Sequence, residues 1–348
     1  MPITLRPGAT PSREATNGGG GRQVVLMFPG QGAQQPRMAA GLYGVSDVFT
    51  DAMDTAFRLL GSEGAGVRAA WLAPGPAEAL DDVSRAQPLL YAVGCALGRL
   101  VESWGVDPAA LLGHSVGEMV GATLAGILDF ADGMRLIKDR MRIFADTPPG
   151  GMLAVAASPA QLAGYVTGQV AIAAVNGPRQ VLLAGLDTEL DAVERRLRAA
   201  GVTCRRSRAR QAFHSPVVAG AVARSAGGWA ATPLRAPRRL VYSAYLGEVL
   251  PDRVACDHRF WADQPARAVL FGPTLDLLLS RGDFLLVEAG PGQGLSALAR
   301  RHPAVTSGAS AVTALLPVRS GADDDDLLAV RGAAERIRAE GHAVRTDR

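Results

Sequence analysis

The stretch Ala109-Ala110-Leu111-Leu112-Gly113-His114-Ser115-Val116-Gly117 decides the fold of this chain. Its first four residues form a short apolar run that predicts a buried strand, and Gly113-x-Ser115-x-Gly117 predicts a sharp turn. Residues 119–128 are apolar and rich in small side chains, which predicts a closely packed helix. Strand, turn and helix in this order are typical of a nucleophile elbow, which exposes a strained serine at the end of a strand. An ordinary glycine-rich turn is the alternative interpretation.

The composition limits the class of protein. The chain has 348 residues, of which 48% are hydrophobic and 20% are charged, so it can bury a real core in one large domain or two. Its 36 basic and 33 acidic residues are too evenly balanced to favour nucleic acid as a partner. No apolar run approaches the roughly 20 residues of a membrane-spanning helix. The three scattered cysteines indicate neither a disulfide framework nor a zinc site, so we expect a cytoplasmic protein without a membrane partner.

The pattern around the elbow predicts an α/β body. Residues 1–22 are rich in Gly, Pro, Ser and Thr and predict a flexible leader. Buried-strand signals such as 24–28 alternate with helical segments, and we assign residues 23–151 and 214–320 to one large subdomain. Residues 321–348 are predicted to form a polar, partly helical tail.

A second pattern interrupts this body at residues 152–213. Its elements follow the order β-α-β-β-α-β of a ferredoxin-like unit, and Asn176-Gly177-Pro178-Arg179 is a hairpin-turn signal. We therefore predict a small ferredoxin-like subdomain inserted in the large one. The predicted elements are strand 152–155, helix 158–166, strands 171–175 and 181–184, helix 187–200 and strand 204–212.

Two charged clusters are interpreted as solvated surfaces. Four arginines, Arg205, Arg206, Arg208 and Arg210, crowd the last predicted strand, and a docking patch for acidic partners or phosphates is the alternative. After Arg300 the chain looks polar and irregular. The acidic run at 323–326 in that region does not by itself make a metal cage.

A serine hydroxyl needs a base to become a nucleophile at neutral pH, and the base is usually histidine. His214 follows a predicted strand at the edge of the inserted unit, where it would face a cleft between the subdomains. On spacing alone, a capping or core histidine explains His214 equally well. The other histidines adjoin Ser115 or lie in polar or charged surroundings: His114, His258, His302 and His342.

Arg140 is the most informative basic residue. On the helix predicted from 131 to 145, the residues three and four positions away from Arg140 are all apolar, so its side chain lies on the buried face of the helix. No carboxylate at these positions can pair with it. A buried guanidinium should not remain unpaired. Three arrangements are therefore expected for Arg140. It pairs with an acidic residue distant in the chain, it extends its charged end to solvent along an apolar stem, or it binds a substrate carboxylate through two hydrogen bonds.

Taken together, the motifs resemble the acyl-CoA:acyl-carrier-protein acyltransferase family, which includes malonyl transacylases and the acyltransferase domains of polyketide synthases. The resemblance covers residues 24–300 and implies an α/β-hydrolase-like body with a ferredoxin-like insert. It rests on the helix with Arg140 and on Phe28-Pro29-Gly30-Gln31-Gly32-Ala33-Gln34, Gly113-His114-Ser115-Val116-Gly117-Glu118, Asn176-Gly177-Pro178, Ala212-Phe213-His214-Ser215-Pro216 and Glu288-Ala289-Gly290-Pro291-Gly292.

The resemblance implies a role for each matching residue. Ser115 corresponds to the nucleophile that forms an acyl ester, and His214 to the general base and acid. The backbone N–H groups of Gln31 and Val116 would form the oxyanion hole. The backbone carbonyl of Gln264 corresponds to the group that orients the histidine.

The resemblance also implies a substrate. Arg140 corresponds to the arginine that holds the free carboxylate of malonyl or methylmalonyl units, and Phe213 and Asn176 to pocket residues. Phe213 would fill the space that an α-methyl group needs, and Val116 also favours malonyl. One methyl group contributes only about 1–3 kcal/mol of discrimination.

We therefore expect a ping-pong transferase that moves an acyl unit from a coenzyme A thioester to the phosphopantetheine thiol of an acyl carrier protein. It would serve polyketide or fatty acid biosynthesis, without a metal or redox cofactor. The leader and the lack of flanking enzyme segments predict a free-standing enzyme acting in trans, with an excised domain as the alternative. Rival functions are transfer of an unusual chain, such as an aminoacyl group, between two carriers, a serine esterase, and a carrier-binding scaffold with an idle serine.

Overall fold

The computed structural model describes residues 21–74 and 80–346. Of the predicted leader, residues 1–22, the first 20 residues lie outside the described part of the chain. Arg22 belongs to the folded chain, because its guanidinium donates to the main-chain carbonyl of Ala309 and pairs with Glu340 at 2.7 Å. The predicted leader therefore ends before Arg22.

The described residues form both strands and helices. The strands are β1 (Gln23–Phe28), β2 (Ala110–Gly113), β3 (Gly150–Val155), β4 (Val170–Gly177), β5 (Gln180–Leu186), β6 (Cys204–Arg206), β7 (Leu240–Ser243), β8 (Glu248–Val249), β9 (Phe284–Glu288) and β10 (Ala311–Ala314). The helices are α1 (Asp47–Leu60), α2 (Gly64–Leu72), α3 (Val83–Ser103), α4 (Val116–Leu124), α5 (Phe130–Ala145), α6 (Asp187–Ala199), α7 (Ala219–Ala230), α8 (Asp252–Ala255), α9 (His258–Asp263), α10 (Phe271–Leu279), α11 (Gly294–Ala299), α12 (Pro303–Thr306) and α13 (Asp323–Ala339).

The large subdomain contains a sheet with the strand order β10-β9-β1-β2-β7-β8. Its strands are parallel except for β8, which pairs antiparallel with β7. Residues 24–28 of β1 are completely buried, as expected for a central strand covered by helices on both faces. Because Phe28 is in register with Gly113, β1 and β2 end at the same edge of the sheet. The turns that follow them, with Gln31 and Ser115, meet there.

The small subdomain contains an antiparallel sheet with the order β4-β5-β3-β6. This is the strand order of a ferredoxin-like unit. α6 packs on the sheet through Leu190 and Leu197, which share an apolar cluster with Leu153 of β3 and Leu183 of β5. The predicted fold class, an α/β-hydrolase-like body with a ferredoxin-like insert, is confirmed.

Two elements predicted in the small subdomain differ in the structure. The helix predicted at 158–166 is wrong, because this segment forms turns and a single 3₁₀ turn at Ala163–Tyr165. Ser158 and Gln161 do exchange the contacts of a helix cap, but a short segment with Gly164 lacks the length and propensity to continue. The strand predicted at 204–212 ends at Arg206, where pairing with β3 stops.

The four arginines after residue 204 do not form one continuous strand face. Arg206 pairs with three acidic side chains of α6, so its charge is already neutralised within the small subdomain. Arg205, Arg208 and Arg210 are exposed, and Arg208 also reaches Asp81 at 3.7 Å.

The C-terminal region is ordered, so the prediction of an irregular chain after Arg300 is wrong. β10 adds an edge strand next to β9, and α13 buries Val330 and Ile337 against the large subdomain. The acidic run forms the first turn of α13, where negative charge stabilises the positive end of the helix. Asp326 is buried and accepts a hydrogen bond from the Gly41 N–H at 3.0 Å, so it is not a solvated residue.

The two subdomains are joined directly beside the end of β2. Val175 of β4 donates its N–H to the carbonyl of Val269 (2.8 Å), and Val269 donates to Ala173 (2.9 Å). Across the same junction, His114 Nε2 donates to Asn176 Oδ1 at 2.9 Å. In the part of the chain that the structure describes, no helix is both long enough and apolar enough to cross a bilayer.

Candidate active site

Ser115 occupies the turn between β2 and α4 in a conformation that L-residues rarely adopt, with φ 55° and ψ −121°. The flanking glycines make this turn possible. A Cβ on Gly113 would lie 2.2 Å from the Glu118 nitrogen, and one on Gly117 would lie 2.1 Å from the Phe28 oxygen. Any larger residue would push the helix away from the sheet. The turn has the geometry predicted for a nucleophile elbow.

The hydroxyl of Ser115 meets the imidazole of His214, with Oγ and Nε2 2.9 Å apart. His214 lies between β6 and α7 and also has a positive φ, 62°. Its backbone N–H donates to the carbonyl of Pro265 at 2.6 Å, which fixes the main chain at this unusual conformation. The structure therefore brings together the serine and the one histidine that the sequence favoured as its base.

The other imidazole nitrogen, Nδ1, faces two backbone carbonyls. Gln264 O lies 3.2 Å away and Arg267 O lies 2.8 Å away. Since carbonyl oxygens only accept, Nδ1 carries the proton and Nε2 is left to accept from Ser115. Gln264 was predicted for this position from the resemblance. The role of Arg267, which makes the shorter contact, was not predicted. Every residue type has a backbone carbonyl, so the sequence does not indicate which one will contact the imidazole.

Burial controls the charge of His214. The side chain is 5% exposed, and desolvation lowers the pKa of His214 to about 4. The nearby His114 and Arg140 lower this pKa further, whereas the two carbonyls on Nδ1 oppose the shift. His214 is therefore neutral at physiological pH, which is the form that can accept a proton.

The main-chain N–H groups of Val116 and Gln31, predicted as donors to an oxyanion, lie in the two turns that meet at Ser115. Val116 begins α4, where the first N–H groups have no intrahelical partner. Gln31 lies in the turn after β1, and its neighbour Gly30 approaches so closely that a Cβ there would lie 3.1 Å from the Ser115 Cβ. Among the described residues, neither Val116 nor Gln31 donates its backbone N–H to a protein acceptor. Both amides remain available to a bound group.

Arg140 lies on α5 with 8% of its surface exposed, as the helix pattern predicted. It makes no ion pair or hydrogen bond with any residue that the structure describes, so the predicted distant ion pair is not found there. Burial lowers the pKa of Arg140, and its charge in turn lowers the pKa of His214. The arrangement is a buried positive charge close to Ser115 and His214, with no negative partner among the residues that the structure describes.

Phe213 and Asn176 both lie beside the catalytic pair. Phe213 stacks on Phe144 of α5 with ring centroids 5.1 Å apart, so its ring forms the wall between α5 and His214. Asn176 holds the ring of His114 from the small subdomain. Phe213 therefore borders His214, and Asn176 fixes the imidazole that adjoins Ser115 in the chain.

Three further polar residues of the site were not predicted from the sequence. Gln87 of α3 donates to the Gln31 side chain at 3.3 Å, and its own buried carbonyl oxygen has no partner among the described residues. A polar residue on the apolar face of α3, next to Pro88, was the signal that could have found it. The other two, Glu118 and Tyr245, occur in segments that look like an ordinary helix start and an ordinary turn.

Glu118 is completely buried and connects the elbow to two other segments. Its carboxyl group accepts hydrogen bonds from Ser243 Oγ at 2.6 Å and from the Ala244 N–H at 2.9 Å. The Gln264 side chain donates to it at 3.4 Å. Desolvation raises the pKa of Glu118 to about 8, so the group is mostly protonated at neutral pH.

Comparison with known proteins agrees with this geometry. The family model described as "Acyl transferase domain" matches residues 25–338. The chain is 36% identical over 281 residues to a phenolphthiocerol/phthiocerol polyketide synthase from Mycobacterium tuberculosis, a match that covers 81% of this chain and 19% of that protein. The chain thus spans about a fifth of the length of this curated relative.

Solved structures give the same result. The acyltransferase domain from the second module of the salinomycin polyketide synthase has a TM-score of 0.83 and 32% identity, over 92% of this chain and 74% of that one. A malonyl-CoA:acyl carrier protein transacylase from Xanthomonas oryzae has a TM-score of 0.77 and 26% identity, over 89% of this chain and 98% of that one. Fold and comparisons define an acyltransferase. The chain belongs to the acyl transferase domain family, and the predicted family is confirmed.

Proposed function

We propose that this acyltransferase moves a malonyl unit from coenzyme A to the phosphopantetheine thiol of an acyl carrier protein, in polyketide or fatty acid synthesis. The observation that carries the proposal is the 2.9 Å contact between Ser115 and a neutral His214, beside the buried Arg140, which has no acidic partner among the described residues. The names of the matched proteins, polyketide synthases and a malonyl-CoA:acyl carrier protein transacylase, support the substrate and the partner.

The first half-reaction loads the enzyme. Ser115 gives its proton to His214 Nε2 while Oγ forms a bond to the thioester carbonyl carbon. The carbon–sulfur bond then breaks, coenzyme A leaves as the thiol after receiving the proton from His214, and a seryl ester remains. Nδ1 keeps its proton throughout, because the carbonyls of Gln264 and Arg267 hold it.

The second half-reaction unloads the enzyme onto the carrier. The phosphopantetheine thiol gives its proton to His214, and its sulfur attacks the ester carbonyl. The bond to Ser115 Oγ breaks, and His214 returns the proton to the serine. Serine, histidine and the two thiols supply every proton and electron pair, so the proposal requires no metal or redox cofactor.

The free backbone N–H groups of Gln31 and Val116 would stabilise the oxyanion that forms in both half-reactions. Each such donor contributes roughly 3–4 kcal/mol to transition-state stabilisation in related chemistry. Gln87 holds the side chain of Gln31 and so helps to fix the turn that presents the first of these groups.

Arg140 would bind the free carboxylate of the malonyl unit. The guanidinium is desolvated and lacks an acidic partner among the described residues, so a carboxylate that reaches it gains a charge-assisted, bidentate contact. An acyl group without a carboxylate would leave this charge uncompensated. The same reasoning disfavours an aminoacyl cargo, whose cationic amine would be repelled.

The proposal is tested by intact-protein mass spectrometry after brief exposure to malonyl-CoA. We expect one added malonyl group on the wild type, none on Ser115→Ala, and the same adduct on the control Ser280→Ala, whose exposed hydroxyl is remote from the site. Addition of a carrier protein bearing phosphopantetheine should remove the adduct and produce malonyl-carrier. A wild-type enzyme that acquires no malonyl group would overturn the proposal. Steady hydrolysis without a carrier would instead favour an esterase.

A further inference from the structure

Tyr245 lies just after β7, and its ring faces the catalytic histidine. The ring centroids of Tyr245 and His214 are 5.9 Å apart, and the Tyr245 side chain is buried. The segment that carries it is fixed, because Ser243 and Ala244 both donate to the buried Glu118. Tyr245 is therefore a rigid wall of the site.

The phenol of Tyr245 also lies near both the nucleophile and the buried cation, because α5, which carries Arg140, reaches the neighbourhood of His214 through the stack of Phe144 on Phe213. Burial raises the pKa of Tyr245, whereas the charge of Arg140 and the hydroxyl of Ser115 act in the opposite direction. These effects require both groups to be close to the phenol. No acidic or carbonyl acceptor among the residues that the structure describes takes the Tyr245 proton, so the phenol is a neutral donor next to Arg140.

A carboxylate bound at Arg140 would need such a donor. A carboxylate offers about four lone-pair directions, and a bidentate guanidinium uses two of them. In a buried site the remaining lone pairs must also be satisfied, since an incompletely solvated ion is strongly disfavoured. Arg140 alone cannot meet this requirement.

We propose that the Tyr245 hydroxyl donates a hydrogen bond to the free carboxylate of an acyl group held by Arg140. Tyr245 is then a specificity residue that selects short acyl groups with a terminal carboxylate over neutral ones. The inference rests on the proposed function, which supplies the carboxylate-bearing substrate. It assigns the recognition of that carboxylate to two residues on different elements, α5 and the turn after β7.

The test is the variant Tyr245→Phe, which keeps the ring and removes only the hydroxyl. Its control is Tyr242→Phe, three residues earlier, whose buried ring lies on β7. Two acyl donors are compared by the rate of acyl-enzyme formation: malonyl-CoA, which carries the carboxylate, and p-nitrophenyl acetate, a neutral activated ester. Circular dichroism and thermal unfolding confirm that each variant is folded.

We expect Tyr245→Phe to slow malonyl acylation by about tenfold or more, the effect of one hydrogen bond to a charged group, and to leave the acetate reaction unchanged. Tyr242→Phe should change neither reaction. Equal slowing of both donors would show that the hydroxyl acts on Ser115 or His214, and an unchanged malonyl rate would show no role; either result overturns the inference alone. A wild type that forms an acetyl but no malonyl adduct overturns the proposed function together with the inference.

Discussion

Ser115 and His214 are 99 positions apart in the chain, and both adopt a positive φ at the point where their side chains meet. Each conformation is held by its surroundings. At Ser115, Gly113 and Gly117 allow α4 to lie close against the sheet; at His214, the carbonyl of Pro265 accepts the backbone N–H. Strained residues of this kind persist only where the surroundings determine them fully, and they concentrate at functional sites. The contact between Ser115 and His214 is therefore a property of the packed fold rather than of two mobile side chains.

The low pKa of His214 predicts an unusual pH profile. An ordinary histidine loses its basic form below about pH 6.5, but burial lowers the pKa of His214 to about 4. We therefore expect the rate of malonyl acylation to stay nearly constant from pH 8 to about pH 5 and to fall only near pH 4. Rapid-quench measurements of acyl-enzyme at each pH, with circular dichroism to exclude unfolding, check this. A fall centred near pH 6.5 would contradict the assigned environment.

Arg140 predicts opposite effects on activity and on stability. Replacement by methionine keeps the long apolar stem and removes a buried, unpaired charge, so the free energy of unfolding should rise by about 1 kcal/mol or more. Malonyl acylation should fall by at least about a hundredfold, because the charge-assisted contact with the carboxylate is lost. The control is Arg142→Met on the same helix, whose exposed guanidinium pairs with Glu63. Urea titration and acylation rates measure the two effects; a destabilised Arg140→Met with full activity would refute this account of Arg140.

Two glycines of α4 should respond differently to alanine. At Gly117 the new Cβ would lie 2.1 Å from the Phe28 oxygen, whereas at Gly121 its nearest contact is an ordinary 3.7 Å. We expect Gly117→Ala to lose about 3 kcal/mol or more of stability through overpacking. Gly121→Ala should gain roughly 0.5–1 kcal/mol from helix propensity. Urea unfolding of both variants provides the measurement, and similar values for the two would contradict the close approach at Gly117.

Glu118 predicts a pH-dependent stability. Its folded-state pKa is raised from 4.5 to about 8, so the native protein binds more protons than the unfolded chain between these values. The contribution of Glu118 is thus fully present below about pH 4.5 and is lost as the pH rises through 8. Glu118→Gln cannot ionise, so its stability relative to the wild type should increase by roughly 4 kcal/mol between pH 5 and pH 9. Urea titrations at the two pH values test this, and a pH-independent difference would contradict it.

The sequence was informative where local geometry determines the structure. The elbow could be predicted because Gly113 and Gly117 are required by contacts within a few residues of Ser115. Arg140 could be predicted as buried because helical periodicity places it among apolar side chains on α5. The strand order of the small subdomain likewise followed from the order of its segments.

The remaining features depend on tertiary contacts that residue types do not encode. Spacing alone could not distinguish His214 from a core histidine, since its partner lies on another element. The carbonyl of Arg267 and the hydroxyl of Tyr245 become important only through their position in space. A helical tail was predicted at 321–348, but not its packing on the large subdomain, because the buried face of α13 includes small alanines such as Ala333 and Ala334, which give a weak apolar pattern.

The main-chain link between β4 and Val269 has a consequence for engineering. Val269 follows Arg267 by two residues, so the segment that receives the edge of the inserted sheet is also the one that aligns the imidazole. Consider a chimaera that exchanges only residues 150–206 with those of a relative. Its edge strand would come from the relative and would pack against the native segment at Val269, which would misalign His214. Recombination boundaries that carry residues 264–269 along with the graft should preserve turnover.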